Sequence, residues 1–386
     1  MKKWDQSLFL VIAFIFWFAH FLYIPMLSPY IEQLGGTFTF TGIVLASYGL
    51  MQFLFRVPIG IGSDLLNNRK LFVVLGMAIS TASCLAFALT ASLEWVLISR
   101  ALAGIAAATW VAFTILFASY AADDRLHSAM GNLSFALVFA QLLGMAFSAW
   151  LVEAFGWSAP YWIGTILGSI GLLLSFFISE GHKRTANKPI KLRELGTVVK
   201  EPMLLKVSLL SIFAHSIIFT TMFGFTTAYA LAKGLRPAEI SLVVFAFMIP
   251  HAIATLMSGK PIMLKIGKWR ILQLAFLTTA IFTMMMALID TKIFFLLLQM
   301  INGFALGLLF PLFLGMAVEE IPYEKRATAM GAYQAIYAIG MFVGPFLAGL
   351  LNTSFGLEAS FYFAGCIGIL GFICSLLWSR KIPINL

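Results

Sequence analysis

Twelve times along this chain an apolar run arises that is long enough to cross about 30 Å of hydrocarbon. The runs cover about 8–30, 40–62, 70–90, 93–119, 130–152 and 159–179, then about 204–229, 240–262, 269–290, 292–318, 328–351 and 358–379. With 61% hydrophobic and 11% charged residues, the chain has under half the charge of an ordinary soluble domain, which carries about 25%. Its solvent must be lipid. There every backbone group has to find a partner inside its own segment, so the runs must be helices. The expected fold is an all-α membrane protein with twelve transmembrane helices.

The runs fall into two sets of six, and the second six echo the first at a fixed offset. Ser128-Ala-Met-Gly131 returns 200 residues later as Thr328-Ala-Met-Gly331, and Phe155-Gly156 returns as Phe355-Gly356. Gly144, Gly168, Gly171 and Ser175 likewise meet Gly344, Gly368, Gly371 and Ser375 without a gap. A fixed period marks an internally repeated architecture, here two pseudo-symmetric six-helix bundles. The expected organisation is an N-terminal bundle over 1–179, a linker over 180–203 and a C-terminal bundle over 204–386. The linker is basic, with Lys183, Arg184, Lys188, Lys191, Arg193 and Lys200.

The net charge of +9 does not point to nucleic acid, because the charges sit in short loops. With both termini in the cytoplasm, twenty of the 25 Lys and Arg residues fall inside and only Lys233, Arg236 and Lys292 outside. That bias sets the orientation and a multi-pass location in the cell membrane. The N-terminal run follows Met1-Lys-Lys-Trp-Asp5 without a small-residue cleavage site and is expected to be a retained helix. Cys84, Cys366 and Cys374 all lie in apolar runs and offer neither metal-ligand spacing nor a disulfide framework. No cofactor or metal is expected, and the chain is expected to act as a monomer.

Between runs two and three stands Gly60-Ile-Gly-Ser-Asp64-Leu-Leu-Asn-Asn-Arg69-Lys70. This loop resembles the inner-loop pattern G-x-L-a-D-r-x-G-r-[KR] of the major facilitator superfamily, with Gly60, Ser63, Asp64 and Arg69 in place. Asn67 stands where the family has its second glycine, and Asn tolerates the left-handed backbone. Run four carries Arg100-Ala-Leu-Ala-Gly104, similar to the family's R-x-x-q-G motif. Run eleven holds Gly344-Pro345, a pair that the drug-antiporter branch places in run five, where this chain has Gly144-Met145. The resemblance spans the whole chain. It implies secondary transport by alternating access, a cytoplasmic gate at Gly60, Asp64 and Arg69, and a central cavity lined by runs one, four, seven and ten, with two, five, eight and eleven beside them.

Against that expectation the candidate solute- or proton-binding residues are His20, Arg100, Gln141, His215, His251, Gln299, Asn302 and Gln334. Phe18-Ala-His20 in run one recurs as Phe213-Ala-His215 in run seven, and His251 follows Pro250 mid-run. Ionisable groups at mid-membrane are functional candidates, and His titrates near neutral pH. No Asp or Glu lies near the centre of any run, so a proton carrier would have to be His. Arg100 either reaches the outer surface along its own stem or faces the cavity. The partners are therefore a small-molecule solute, membrane lipid and, as a candidate coupling ion, the proton. Neutral, zwitterionic or anionic cargo suits these side chains better than a strong cation.

The leading expectation is proton-coupled efflux of a drug or metabolite; the alternative is import or facilitated passage of a sugar or organic anion. A membrane enzyme acting on lipid needs clustered acids, His or a nucleophile. Asp123, Asp124 and His127 form the one such cluster, and it reads as a loop. No G-x-x-x-x-G-K-[ST] loop is present, so ATP is not the chain's own energy source. The orientation predicts that single cysteines at positions 191 and 265 label from the cytoplasm and those at 32 and 358 from outside. Labelling of position 32 from the cytoplasm alone would reverse the topology.

Overall fold

The computed structural model describes residues 3–121, 126–180, 196–258, 265–322 and 325–379. Among them, eleven helical segments are long and apolar enough to cross a membrane, and a shorter apolar helix, Ala159–Ser175, falls where the sixth is expected. The expected linker residues 181–195 and the acids Asp123 and Asp124 lie outside the described residues, as does the side chain of His127.

Spans two, three, five and six are single helices: Phe38–Leu65, Arg69–Leu89, Leu126–Phe155 and Ala159–Ser175. Spans eight to twelve are Ile240–Met257, Lys268–Met286, Lys292–Glu319, Arg326–Phe355 and Glu358–Ser379. Spans one, four and seven are broken. Span one runs as Lys3–Phe21 and Ile24–Gln33, because Pro25 would drive its ring into the carbonyl one turn back and has no N–H to give the ladder. Span four divides into Leu93–Ala108 and Trp110–Ser119 at Thr109, whose hydroxyl donates to the Ala106 carbonyl at 2.7 Å. Span seven passes from Pro202–Thr220 through a π-helical turn, Thr221–Phe225, into Thr226–Ala232. Such π turns are rare and recur at functional sites. The three broken helices are three of the four that the family resemblance sets along the central cavity.

The described chain forms two compact units, one of Met1–Gly36 with Ser47–Leu195 and one of Thr37–Ala46 with Gly196–Leu386. The beginning of span two thus departs from the bundle to which sequence order assigns it. The Thr39 amide donates to Thr353 Oγ1 at 2.9 Å. A Cβ on Gly42 would stand 2.8 Å from the Gly349 Cα, so two glycines permit this backbone approach.

Within each unit the same backbone approaches recur. In the first, span four meets span two at Gly104, where a Cβ would lie 2.6 Å from the Tyr48 carbonyl oxygen. In the second, span ten meets span eight at Gly303, where a Cβ would strike the Phe247 carbonyl, and again at Gly307 against that of His251. Span five meets span one at Gly144 beside Phe18, and span eleven meets span seven at Gly344 beside Ser216. Small residues let helix backbones close in where lipid supplies no hydrophobic drive between helices. Gly303→Val should therefore destabilise the purified protein by about 1–3 kcal/mol, as overpacking does, and lower its melting temperature. Gly315→Ala, where a Cβ meets nothing within 4 Å, should leave it unchanged. Equal melting of the two variants would refute the packing account.

Candidate functional site

The inner loop of the first unit is built from its own sequence. Asn67 takes φ 49°, the one left-handed non-glycine among the described residues, so it fills the role that a glycine usually has there. Asn68 caps span three, its Oδ1 accepting from the Leu71 amide at 3.0 Å. Arg69 donates to Asp64 at 2.9 Å, with both side chains largely covered. Gly60 is not forced by packing, since a Cβ would touch Val111 at an ordinary 3.7 Å; its carbonyl accepts from Ser63 Oγ. Glu180, just past span six, accepts from the amides of Arg69 (3.0 Å) and Lys70 (2.8 Å). Lys70 Nζ in return donates to the Phe176 carbonyl at 2.8 Å. A carboxylate on a helix N-terminus and a cation on a helix C-terminus both follow the helix dipole.

Arg100 is 1% exposed, which overturns the snorkelling alternative. Its guanidinium lies 4.0 Å from the Tyr48 ring centroid and Nη1 donates to Tyr23 Oη at 3.2 Å, while Nε has no partner. No carboxylate pairs with it among the described residues. A desolvated cation over an aromatic face gains about 2 kcal/mol, and Tyr48 supplies that face. One turn inward on span two, Gln52 Oε1 accepts from Arg56 at 2.6 Å, and Arg56 also donates to the Ala107 carbonyl at 3.4 Å.

The two symmetry-related histidines begin alike and end differently. Each sets Nδ1 2.8 Å from the carbonyl four residues back, Phe16 for His20 and Ser211 for His215. His20 is then sealed: Nε2 meets the Ala103 carbonyl at 3.2 Å and Nδ1 meets Ser80 Oγ at 3.3 Å. Its ring packs on Phe16 and Trp17. His20 thereby ties spans one, three and four together.

His215 instead stacks flat on Tyr337, centroids 4.1 Å apart and planes 2° from parallel, with Phe310 edge-on at 4.8 Å. Ser211 Oγ links Nδ1 to the Tyr333 hydroxyl. Phe310 also faces His251 at 5.8 Å. The buried Nδ1 of His251 has no hydrogen-bond partner. Phe310, Tyr337 and His251 are all half-buried. The second unit therefore brings His215 and His251 of the candidate set into one partly open aromatic box. Tyr337 was legible only as a polar position, and Phe310 carried no signal in the sequence.

The amides divide similarly. Asn302 accepts from Thr283 and donates to Met286 Sδ, both at 3.3 Å, tying span ten to span nine. Gln299 is 2% exposed and its Nε2 has no partner. Gln141 and Gln334 are half-buried. Among the described residues no group of three His, Cys, Asp or Glu side chains is placed to hold a metal.

Helices of this length, doubled into two bundles of matching contacts with ionisable side chains inside them, define a polytopic membrane transporter. The family model for the Major Facilitator Superfamily matches residues 9–236 and 220–385, and the chain belongs to that superfamily. It is 25% identical over 353 residues to the inner membrane transport protein YajR of Escherichia coli, covering 87% of this chain and 74% of that one. It is also 25% identical over 372 residues to the multi-drug resistance efflux pump PmrA of Streptococcus pneumoniae, covering 90% and 91%. Among solved structures, a bacterial homolog of the human lysosomal transporter Spinster superposes with a TM-score of 0.83 over 98% of both chains. At 14% identity that likeness speaks to the fold.

Two outcomes follow. His20→Ala should cost about 2–4 kcal/mol of stability, the range for emptying a buried, bonded site, read as a lower melting temperature in detergent. Asn67→Gly should be neutral while Asn67→Val, whose β-branch resists the left-handed backbone, lowers stability. Unaltered melting of His20→Ala or of Asn67→Val would contradict these local accounts.

Proposed function

We propose that this protein exports a small neutral or anionic organic solute across the cell membrane by alternating access, acting as a monomer with both termini in the cytoplasm. The observation that carries the reading is the aromatic box: His215 lies flat against Tyr337, with Phe310 edge-on to it and His251 on the other side of Phe310. Flat aromatic walls with a few polar atoms are what a small organic solute needs. The family arrangement places spans seven, ten and eleven beside the central pathway. The likeness to an efflux pump favours export. Arg100, a fixed positive charge with no carboxylate partner among the described residues, disfavours a cationic cargo.

The same box is the proposed proton-coupling element. The spans hold no central carboxylate, and an imidazole whose Nδ1 bonds a main-chain carbonyl can gain or lose a proton without leaving its place. Solute and proton then compete for one set of groups, which is the physical basis of exchange. The Asp64–Arg69 pair and the Glu180 cap are proposed to hold the cytoplasmic gate, so Asp64→Asn should slow turnover and leave solute binding intact.

The test is transport in proteoliposomes with an imposed pH gradient, using an aromatic carboxylate, a neutral sugar and the cation ethidium. The account expects export of the carboxylate or the neutral solute and none of ethidium. His215→Ala should lower that rate about tenfold, about 1.4 kcal/mol in the barrier, and flatten its dependence between about pH 5.5 and 8. Wild-type rates in His215→Ala across that range would remove the box from the mechanism. Accumulation in the opposite direction would make the protein an importer.

A further inference from the structure

A groove of about 530 Å³ runs along the outside of the second unit between spans nine and ten, with Pro250 of span eight at its back. It shares no lining residue with the aromatic box. Span nine contributes Ile271, Leu274, Ala275 and Thr278, and span ten contributes Met300, Ile301, Phe304, Ala305 and Leu308. The positions on span nine follow a helical stripe about 10 Å long. Each of the two helices contributes one small residue to the lining, Ala275 and Ala305. Leu274 is 59% exposed and Met300 44%, so the groove opens to the surroundings of the protein. In a membrane those surroundings are acyl chains.

The charge at its mouth selects among lipids. The groove ends at Ile266 and Ile271, and Lys265 and Arg270 precede these residues directly in the chain. Both bases are exposed, and neither forms an ion pair among the described residues. Their neighbours behave otherwise. Lys268 between them is taken by Glu319 at 2.6 Å. At the far end of the unit, Lys233 pairs with Asp290 (2.8 Å), Lys292 with Glu239 (2.5 Å) and Arg236 with Glu239 (3.4 Å). Positive charge is thus left uncompensated where the apolar groove meets the end that the charge bias assigns to the cytoplasm. Trp269 sits half-buried between the two bases, the kind of side chain that settles at headgroup depth. The cytoplasmic leaflet is the anionic one, and basic side chains beside clefts between helices bind its headgroups.

We infer that this groove is a binding site for one anionic phospholipid, with an acyl chain along spans nine and ten and the phosphate held between Lys265 and Arg270. The occupant is a lipid and not a free phosphate, because Arg270 stands one helical turn before the groove residue Leu274 and Lys265 directly precedes the groove residue Ile266, so that the charge adjoins an apolar cleft. The site is independent of the transport reading and stands or falls by binding alone.

The experiment is native mass spectrometry of the delipidated, detergent-solubilised protein with added dioleoylphosphatidylglycerol or dioleoylphosphatidylcholine. The wild type should bind the glycerol lipid about tenfold more tightly, as expected for two basic residues near an anionic headgroup. Lys265→Gln with Arg270→Gln should erase that preference; both positions are exposed, so folding is not at risk. Thr278→Trp, which fills the groove, should weaken binding of both lipids at unchanged melting temperature. A preference that survives the double substitution overturns the proposal. So does lipid binding unaffected by Thr278→Trp, or sn-glycerol 3-phosphate binding as tightly as the whole lipid.

Discussion

Hydrocarbon offers no hydrogen bonds, and every polar atom in the spans has to be answered from within the protein. That constraint explains most of the hydroxyls. Thr81, Thr165 and Thr221 each donate to the carbonyl four residues earlier, at 2.8, 2.8 and 2.7 Å, and so spend their one proton within their own helix. It also explains the breaks. Where Pro25 or the π turn at Thr221–Phe225 interrupts a ladder, released backbone groups are tolerated only if protein or water meets them. The buried polar atoms left unanswered among the described residues include Arg100 Nε, Gln299 Nε2 and His251 Nδ1, the last at the edge of the aromatic box.

The two units use one set of contacts for different chemistry. Gly104 beside Tyr48 corresponds to Gly303 beside Phe247, and Gly144 beside Phe18 to Gly344 beside Ser216. The bond from Arg56 to the Ala107 carbonyl has its counterpart in the bond from Thr255 to the Gly307 carbonyl. Close backbone approaches tolerate little variation, because a single Cβ would collide with main chain. Side chains between them are free to diverge. Arg100 in one unit is Gln299 in the other, Gln52 is His251, and His20, bonded to Ser80 and Ala103, is His215, stacked on Tyr337. The joints repeat between the units and the lining differs.

Much of the scaffold is legible in the amino-acid sequence. Length and apolarity of the runs gave the helices, because lipid leaves no other solution. The 200-residue offset gave the two bundles. The inner loop was legible down to the conformation of Asn67, since few residues besides Gly and Asn accept that backbone. The site was less so. Phe-Ala-His occurs twice, and nothing local to either tripeptide says that Ser80 and Ala103 close over one ring while Tyr337, 122 residues away in the chain, lies flat on the other. The burial of Arg100 depends on Tyr48 and Tyr23, each contributed by a different span. The assignment of Thr37–Ala46 to the second unit depends on Gly349, over 300 residues distant. Pairings between distant helices leave no periodic trace, and they decided which candidates became a site.

The central claim is that solute contacts the His215 box and leaves the His20 site untouched. In a variant with Cys84, Cys366 and Cys374 replaced, a single cysteine at position 337 can be titrated with a membrane-permeant thiol reagent, with and without a saturating transported solute. The account predicts that solute slows labelling at 337 several-fold and leaves labelling of a cysteine at position 80 unchanged. Labelling at 337 that ignores solute, with protection at 80 instead, would place the binding site in the other unit and contradict the account.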